Sequence, residues 1–555
     1  MDGLPLIALV IASLAVAAMC RRWGLGPPLP LVVAGIAASF IPGMPDFSID
    51  PDVVLALVLT PLLYSAALDS SYLGFRANLR QIGLLAVGLV IFSTAVVGVV
   101  TWWAAPGLGM VLPLGSALVL GAVVAPPDAV AAIAVGRRLG LPRRMMTILG
   151  GESLVNDAAA LTLFRVAVAG AGGGAVGGAA VGGAAGPGGA AVGGGAVGGA
   201  ASAAGHMSLS HAAGMFVLAG VGGVVIGLAA AWVVHRIRLW LNDSIIESAF
   251  GLVVPFVVYV LAEGAHSSGL LAVVVAGLYL GHRAPETGFA TRLQDDAVWR
   301  ASDTVLESVV FTLIGLQLTA ILAQVREIGP ALMVGVLVTV TAVVARVVWV
   351  FPATYVPRLI PAVRRTDPYP RWQVPAVISW SGMRGVVSLA AAFAIPESVP
   401  GRPELLFLTF CVTVGTLLLH GLTLPWLIRK LGVQSQGESH ADALAEAQAQ
   451  HAAGRAAMTR LDELTENGTA EPQSVEKLKR MAQMRTNSSW ERLGRDASEA
   501  GEGPGATYRR LRREMLTAER DTFVQHRNEG RIDDEVLRRV LRELDLEEAM
   551  LSRDD

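Results

Sequence analysis

An all-α polytopic membrane protein with a soluble helical C-terminal tail is the fold class this sequence predicts, on three observations. Of the 555 residues, 53% are hydrophobic, and the mean hydropathy is +0.56, well above that of an ordinary soluble domain. Charge is also unevenly shared. Met1–Leu431 holds 24 Lys+Arg and 20 Asp+Glu, whereas the remaining 124 residues hold 19 and 25. Charged residues are therefore about 10% of the first part and about 35% of the second, which divides the chain into a membrane domain (1–431) and a tail (432–555). Lastly, basic residues recur in every second loop.

Hydropathy places thirteen candidate spans, at 3–20, 28–42, 52–69, 82–104, 111–136, 145–169, 207–235, 244–262, 267–282, 302–323, 330–356, 372–396 and 403–428. The first lacks a basic flank before it and reads as a span rather than a cleaved signal peptide. The alternate loops that start at Arg21/Arg22 carry 19 basic residues, and the other set carries only Arg326 and Arg402. That bias predicts an external N-terminus and a cytoplasmic tail. Cys20 and Cys411 both lie in apolar spans, so no disulfide framework is expected.

Two spans read as broken. The fifth contains Ala125-Pro126-Pro127-Asp128, and paired prolines interrupt a helical hydrogen-bond ladder. The twelfth contains Trp380-Ser381-Gly382-Met383-Arg384-Gly385, in which glycines bracket a charge that hydrocarbon does not tolerate. These breaks are seven spans apart. If spans 1–6 and 8–13 are six-helix repeats linked by span 7, the repeats are inverted and the discontinuous helices occupy equivalent places. Such a pair points to a midplane site in a transporter.

Between the breaks in importance stands span 6, where Glu152, Ser153, Asn156 and Asp157 share a helical face through i,i+4 spacing. Asp157 lies about 18 Å along the span, near the midplane. An ionisable group there is costly and marks a functional site; the plainer reading, a polar contact between helices, suits Ser153 better than Asp157. A cation such as Na⁺ wants several oxygen ligands and at least one negative charge. Asp157 and Glu152 offer carboxylates, Ser153 a hydroxyl, and the unwound backbone near Pro127 a free carbonyl. One carboxylate that holds either a proton or a metal ion, exposed in turn to each side, suffices for exchange.

The remaining polar groups in the spans have simpler expectations. Arg384 is the natural counter-charge for Glu152 or Asp128. Glu263, at the outer end of span 8, is expected to hold the turn between two helices. Arg346 and Arg165 are expected to snorkel or pair within the bundle, and His420 to make a helix–helix contact. No lysine precedes Lys430, which excludes a lysine proton carrier from the membrane core.

Together these motifs resemble the monovalent cation:proton antiporters, in the branch of the sodium/proton exchangers. Gly151-Glu152-Ser153-Leu154-Val155-Asn156-Asp157 matches the signature. The likeness continues through Pro126-Pro127-Asp128-Ala129-Val130, Ala262-Glu263 with Ser268-Gly269, Gly382-Met383-Arg384-Gly385 and His420-Gly421-Leu422-Thr423-Leu424-Pro425, in the family's order over about residues 5–431. The resemblance implies a homodimer whose mobile core domains carry one ion site each by an elevator motion. Asp157 would be the shared Na⁺/H⁺ ligand, with Glu152, Ser153 and the main-chain oxygen of Pro127 completing the sodium shell. Asn156 implies electroneutral exchange of Na⁺ (or Li⁺) for H⁺. Two departures stand out: Pro127 where the family usually has Thr, and Ser65 where members often have Glu.

A K⁺/H⁺ antiporter fits the same residues. An intramembrane aspartyl protease using Asp128 and Asp157 lacks the motifs of such enzymes, so no enzyme is expected; a channel would conduct without proton coupling. The expected partners are monovalent cations, protons, membrane lipid and a second copy of the chain, with no nucleic acid and no cofactor. The Gly/Ala-rich segment 170–205 reads as an external linker. In the tail, Ala506–Arg527 and Asp534–Arg553 predict a helical pair with Gly530 as stop and Asp533 or Asp534 as cap. Val536, Val540, Leu541, Leu544 and Leu546 form its apolar stripe.

Overall fold

The computed structural model describes residues 3–552 except 25, 43–53, 129, 172–208, 242, 434–435, 467–472, 483–503, 530 and 532–533. Helices are the secondary structure of the described residues, with one isolated bridge between Asp128 and Met383. The chain divides into two units, Met1–Ser435 and Gln436–Asp555.

The first unit opens with α1 (Gly3–Arg22) and α2 (Pro28–Ser39). A π-helical stretch, Val54–Leu59, leads into α3 (Thr60–Leu68), followed by the short α4 (Tyr72–Ala77). Next, α5 (Leu79–Gly83) continues through a π turn (Leu84–Gly88) into α6 (Leu89–Ala104). Two half-helices, α7 (Leu114–Val124) and α8 (Val130–Leu139), precede the long α9 (Arg143–Gly170). Then come α10 (Leu209–Leu241), α11 (Ser244–Gly264), α12 (Gly269–Arg283), α13 (Phe289–Leu316), α14 (Leu318–Gln324) and α15 (Ile328–Tyr355). After the short α16 (Pro361–Thr366), a second pair of half-helices, α17 (Gln373–Trp380) and α18 (Val386–Phe393), is followed by α19 (Arg402–Leu431).

Among the described residues, eight helices are long and apolar enough to cross a membrane, from Leu4–Arg22 to Arg402–Leu431. Pro28–Ser39, Ala56–Leu68 and Leu114–Val124 are apolar but shorter; twelve residues of α2 rise only about 18 Å. The unit has the polarity of a bilayer protein. Leu332, Val336, Val340, Val344 and Val348, each one turn from the next on α15, are all about half exposed. Meanwhile Glu152, Asn156, Asp157, Arg346 and Arg384 are buried. Water could not favour that arrangement, whereas hydrocarbon does. Close approach inside it relies on small residues: side chains at Gly35 or Gly315 would collide with the backbone of the other helix where α2 crosses α13.

One expectation is corrected here. The apolar run at 302–323 predicts a span starting near 302, but α13 begins at Phe289, because a charged, exposed first half continues the helix past the apolar part. The Gly/Ala-rich linker lies outside the described residues from 172 onward.

On the face carrying the basic loops, Asp367 ties several elements together. Its carboxylate accepts from Arg80 Nη2 at 2.5 Å, Gln81 Nε2 at 2.7 Å, Arg144 Nη2 at 2.7 Å and Arg358 Nη2 at 2.7 Å. Burial alone would raise its pKa, but the hydrogen bonds from Arg144 and Arg358 hold it below the usual carboxylate value. A depressed folded-state pKa contributes stability above the unfolded value, near about 3.9, and loses it as pH falls through the folded one. Asp367→Asn is therefore expected to cost about 1–2 kcal/mol at pH 7, discounted because Arg80 and Arg144 are partly exposed. In detergent melts the gap to wild type should close below about pH 4; a gap that persists there would remove the carboxylate's charge as its cause.

In the second unit, α20 (Gln436–Glu466) precedes α21 (Pro504–Asn528) and α22 (Asp534–Ser552). Asp534 starts α22, whereas Gly530 and Asp533 lie outside the described residues. Arg512 pairs with Glu547 at 2.6 Å and Arg520 with Glu548 at 2.5 Å, so α21 and α22 form a hairpin. The apolar stripe shifts from its expected phase: Leu537 and Leu544 are buried, with Leu516 opposite on α21, while Leu546 is 56% exposed. Two residues beyond Leu544 is about 200° round the helix, which turns Leu546 away.

Candidate functional site

Paired prolines end α7, and glycines at 382 and 385 separate α17 from α18. The two breaks meet. Asp128 N donates to Met383 O at 2.7 Å, the only sheet-like pairing among the described residues. Glycine is required at this crossing: a side chain at Gly382 would run into the Arg346 guanidinium, and one at Gly385 into the Asp128 carboxylate.

Breaking a helix leaves its last carbonyls without partners, and hydrocarbon offers none. Two arginines supply them. Arg384 Nε donates to Val124 O, at the end of α7, at 2.6 Å, and its Nη1 to Gly382 O at 2.9 Å. Arg346 Nε donates to Ser379 O at 3.1 Å and its Nη2 to Ile378 O at 3.0 Å, near the end of α17. Each first half-helix thus ends on a guanidinium, which also favours the negative end of the helix dipole.

Arg346 carries a second load. Its two terminal nitrogens bind both carboxylate oxygens of Glu152, Nη2 to Oε2 at 2.9 Å and Nη1 to Oε1. All of this is enclosed: Glu152, Arg346 and Arg384 are each 1% exposed. The expected pairing of Arg384 with Glu152 is therefore corrected. Arg346 reaches Glu152 from α15, and Arg384 is turned toward main-chain oxygens.

One turn beyond Glu152, Asn156 Nδ2 donates to Pro127 O at 2.6 Å. The carbonyl expected to be free is thus already accepting, with one lone pair left. Asn156 Oδ1, completely buried, has no donor among the described residues. Asp157 is 4% exposed and makes no ion pair among the described residues. Its carboxylate lies within electrostatic reach of Asp128, half-buried on the neighbouring break. Ser153 is half-buried on the same helix. Glu152, Ser153, Asn156, Asp157, Pro127 and Asp128 are thereby gathered at one crossing.

Glu263 stands apart from it. Its Oε1 accepts from Gly269 N at 3.1 Å across the turn between α11 and α12, and its Oε2 pairs with Arg165 at 3.0 Å. His420 is buried edge-on against Trp380, with ring centroids 5.1 Å apart.

Sequence reasoning missed two carboxylates on α13. Asp303 Oδ2 accepts from Ser65 Oγ at 2.6 Å, so the hydroxyl that stands at a family departure points at an acid on another helix. Glu307, one turn on, lies within electrostatic reach of Asp303 and Asp128. Both fall within the apolar run 302–323, where the rule that singled out Asp157 applies equally.

Discontinuous helices crossing beside a buried carboxylate that has no ion pair among the described residues define a multi-pass membrane transporter of the secondary active class. Residues 9–430 match the family described as sodium/hydrogen exchanger, transmembrane, and the chain belongs to that family. Along 99% of its length it is 31% identical to an uncharacterized Na(+)/H(+) exchanger of Mycobacterium tuberculosis, covering 96% of that relative. The Na(+)/H(+) antiporter ApNhaP of Aphanothece halophytica is 28% identical over 73% of this chain and 69% of its own. A sodium, potassium, lithium and rubidium/H(+) antiporter of Bacillus subtilis is 28% identical over 77% of this chain and 62% of its own. In fold, the chain is similar to the sodium proton antiporter MjNhaP1 from Methanocaldococcus jannaschii, with a TM-score of 0.57 and 15% identity over 76% of this chain and 97% of that one. Cation/proton exchange across a membrane is the activity of this family.

Proposed function

We propose that the protein is an electroneutral Na⁺(Li⁺)/H⁺ antiporter in which Asp157 holds either a metal ion or a proton. The observation that carries this reading is Asp157 itself, buried without an ion-pair partner among the described residues beside two crossed breaks. A bare carboxylate in that position must bind a cation of some kind. Around it, Ser153, Asp128, the remaining lone pair of Pro127 O and Asn156 Oδ1 are the oxygens proposed as ligands for a dehydrated Na⁺. Glu152, held on both oxygens by Arg346, serves as the support beneath the site rather than as a metal ligand. The transported ions are substrates, and no resident cofactor is invoked.

The same reading takes thirteen spans in two inverted repeats, an external N-terminus and a cytoplasmic tail in the plasma membrane. A core containing both breaks moves like an elevator within each subunit of a homodimer. Support comes from the meeting of α7/α8 with α17/α18 and from the loop arginines. Exchange of K⁺ is the second reading, favoured by the name of the Bacillus subtilis relative, which spans sodium and potassium alike.

Proteoliposomes tested with Na⁺, Li⁺ and K⁺, with and without an imposed voltage, separate these readings. Na⁺/H⁺ exchange that is indifferent to voltage is expected. Exchange restricted to K⁺ selects the second reading, and a voltage-driven rate refutes electroneutrality.

A further inference from the structure

A cavity of about 470 Å³ lies between α14, α15 and α19, lined by Leu322, Leu332, Val336, Phe407, Phe410 and Val414. It offers no free hydroxyl: Thr339 Oγ1, in its wall, donates to Gly335 O at 2.7 Å. Leu332, Val336 and Val340 belong to the half-exposed row on α15, so the cavity opens where that helix faces hydrocarbon. Water needs two or more polar partners to occupy such a space and the almost wholly apolar lining gives it too few, whereas a lipid chain is matched to it.

The chain segment that joins two of the lining residues carries charge. The chain passes from Leu322 to Ile328, both in the lining, through Arg326 and Glu327. Both are exposed, and neither side chain has a hydrogen-bond or ion-pair partner among the described residues. Arg402, the other basic residue of the sparsely charged loop set, is engaged. Its Nε donates to Ile395 O at 2.7 Å and its Nη2 to Phe393 O at 3.3 Å. A cation and an anion without side-chain partners among the described residues therefore sit on consecutive residues next to Ile328 of the lining.

We propose that this groove is a binding site for phosphatidylethanolamine, with an acyl chain along the apolar lining, the phosphate on Arg326 and the ammonium on Glu327. A guanidinium donates readily to a phosphate, and a primary ammonium has N–H groups for a carboxylate. Phosphatidylcholine has no such N–H, and phosphatidylglycerol has no cation for Glu327. The site rests on the membrane reading and on the orientation proposed above, but not on which ion is carried.

Native mass spectrometry of the full-length protein, delipidated and titrated back with the three lipids at matched acyl chains, tests it. One phosphatidylethanolamine per chain is expected, held in preference to the other two. Arg326→Gln should weaken retention about five-fold. Glu327→Gln, a surface change that leaves folding alone, should erase the preference for the ethanolamine headgroup. Val414→Trp should fill the groove and abolish retention. Equal retention in all three variants, or a wild-type preference for phosphatidylglycerol, overturns the proposal. So does conversion of a dimer to a monomer by Val414→Trp, which would make a second copy the occupant. Retention is read without transport, so a chain that keeps the lipid but exchanges no Na⁺ fails only the ion reading.

Discussion

Asp157→Asn is expected to abolish proton-coupled cation exchange while the protein still inserts and folds. The substitution is nearly isosteric, and no ion pair among the described residues depends on the carboxylate. What disappears is a buried carboxylate that can change its charge without breaking any ion pair among the described residues. The amide cannot take up the transported proton and offers a metal ion only a dipole. Dye-reported pH recovery in everted vesicles should fall to the level of empty vesicles, with an unchanged melting temperature in detergent. Exchange at the wild-type rate would place the shared site elsewhere.

The second large effect is on stability. Removing one member of a buried ion pair costs about 3–5 kcal/mol, because the survivor stays buried and uncompensated. Arg346 holds two carboxylate oxygens and the carbonyls of Ile378 and Ser379. Arg346→Met therefore strands a charge and two main-chain acceptors, whereas Glu152→Gln strands only a charge that those carbonyls still partly satisfy. We expect Arg346→Met to melt lower than Glu152→Gln, and the double variant to lose less than the two losses combined. Strictly additive losses would show that the pair does not act as a unit.

Much of the molecule was legible in its residues because bilayers impose simple rules. Apolar runs of bilayer length, prolines and glycines inside them, and a carboxylate at mid-span all announce themselves. The crossing of the breaks at Asp128 and Met383 followed from that logic. The choice of arginine partner did not. Arg346 and Arg384 are both long enough to reach Glu152, and only the packed positions of α15 and α17 decide between them. The 194 residues separating Arg346 from Glu152 leave no local trace of the bond. The Ser65–Asp303 contact escaped for a related reason: a serine in an apolar run carries little signal until its partner is known. In the tail, a stripe drawn by composition included Leu546, while the helical phase chose Leu537 instead.

The two arginines at the crossing have a consequence for leakage. Counting formal charges on Glu152, Arg346, Arg384, Asp128 and Asp157, the assembly is neutral when its last acid is loaded with either guest, and carries one excess negative charge when empty. On the proposed mechanism only the loaded forms travel, since dragging an uncompensated charge past hydrocarbon costs at least several kcal/mol. That mechanism would suppress idle return and tie each inward step to an outward one without any separate gate.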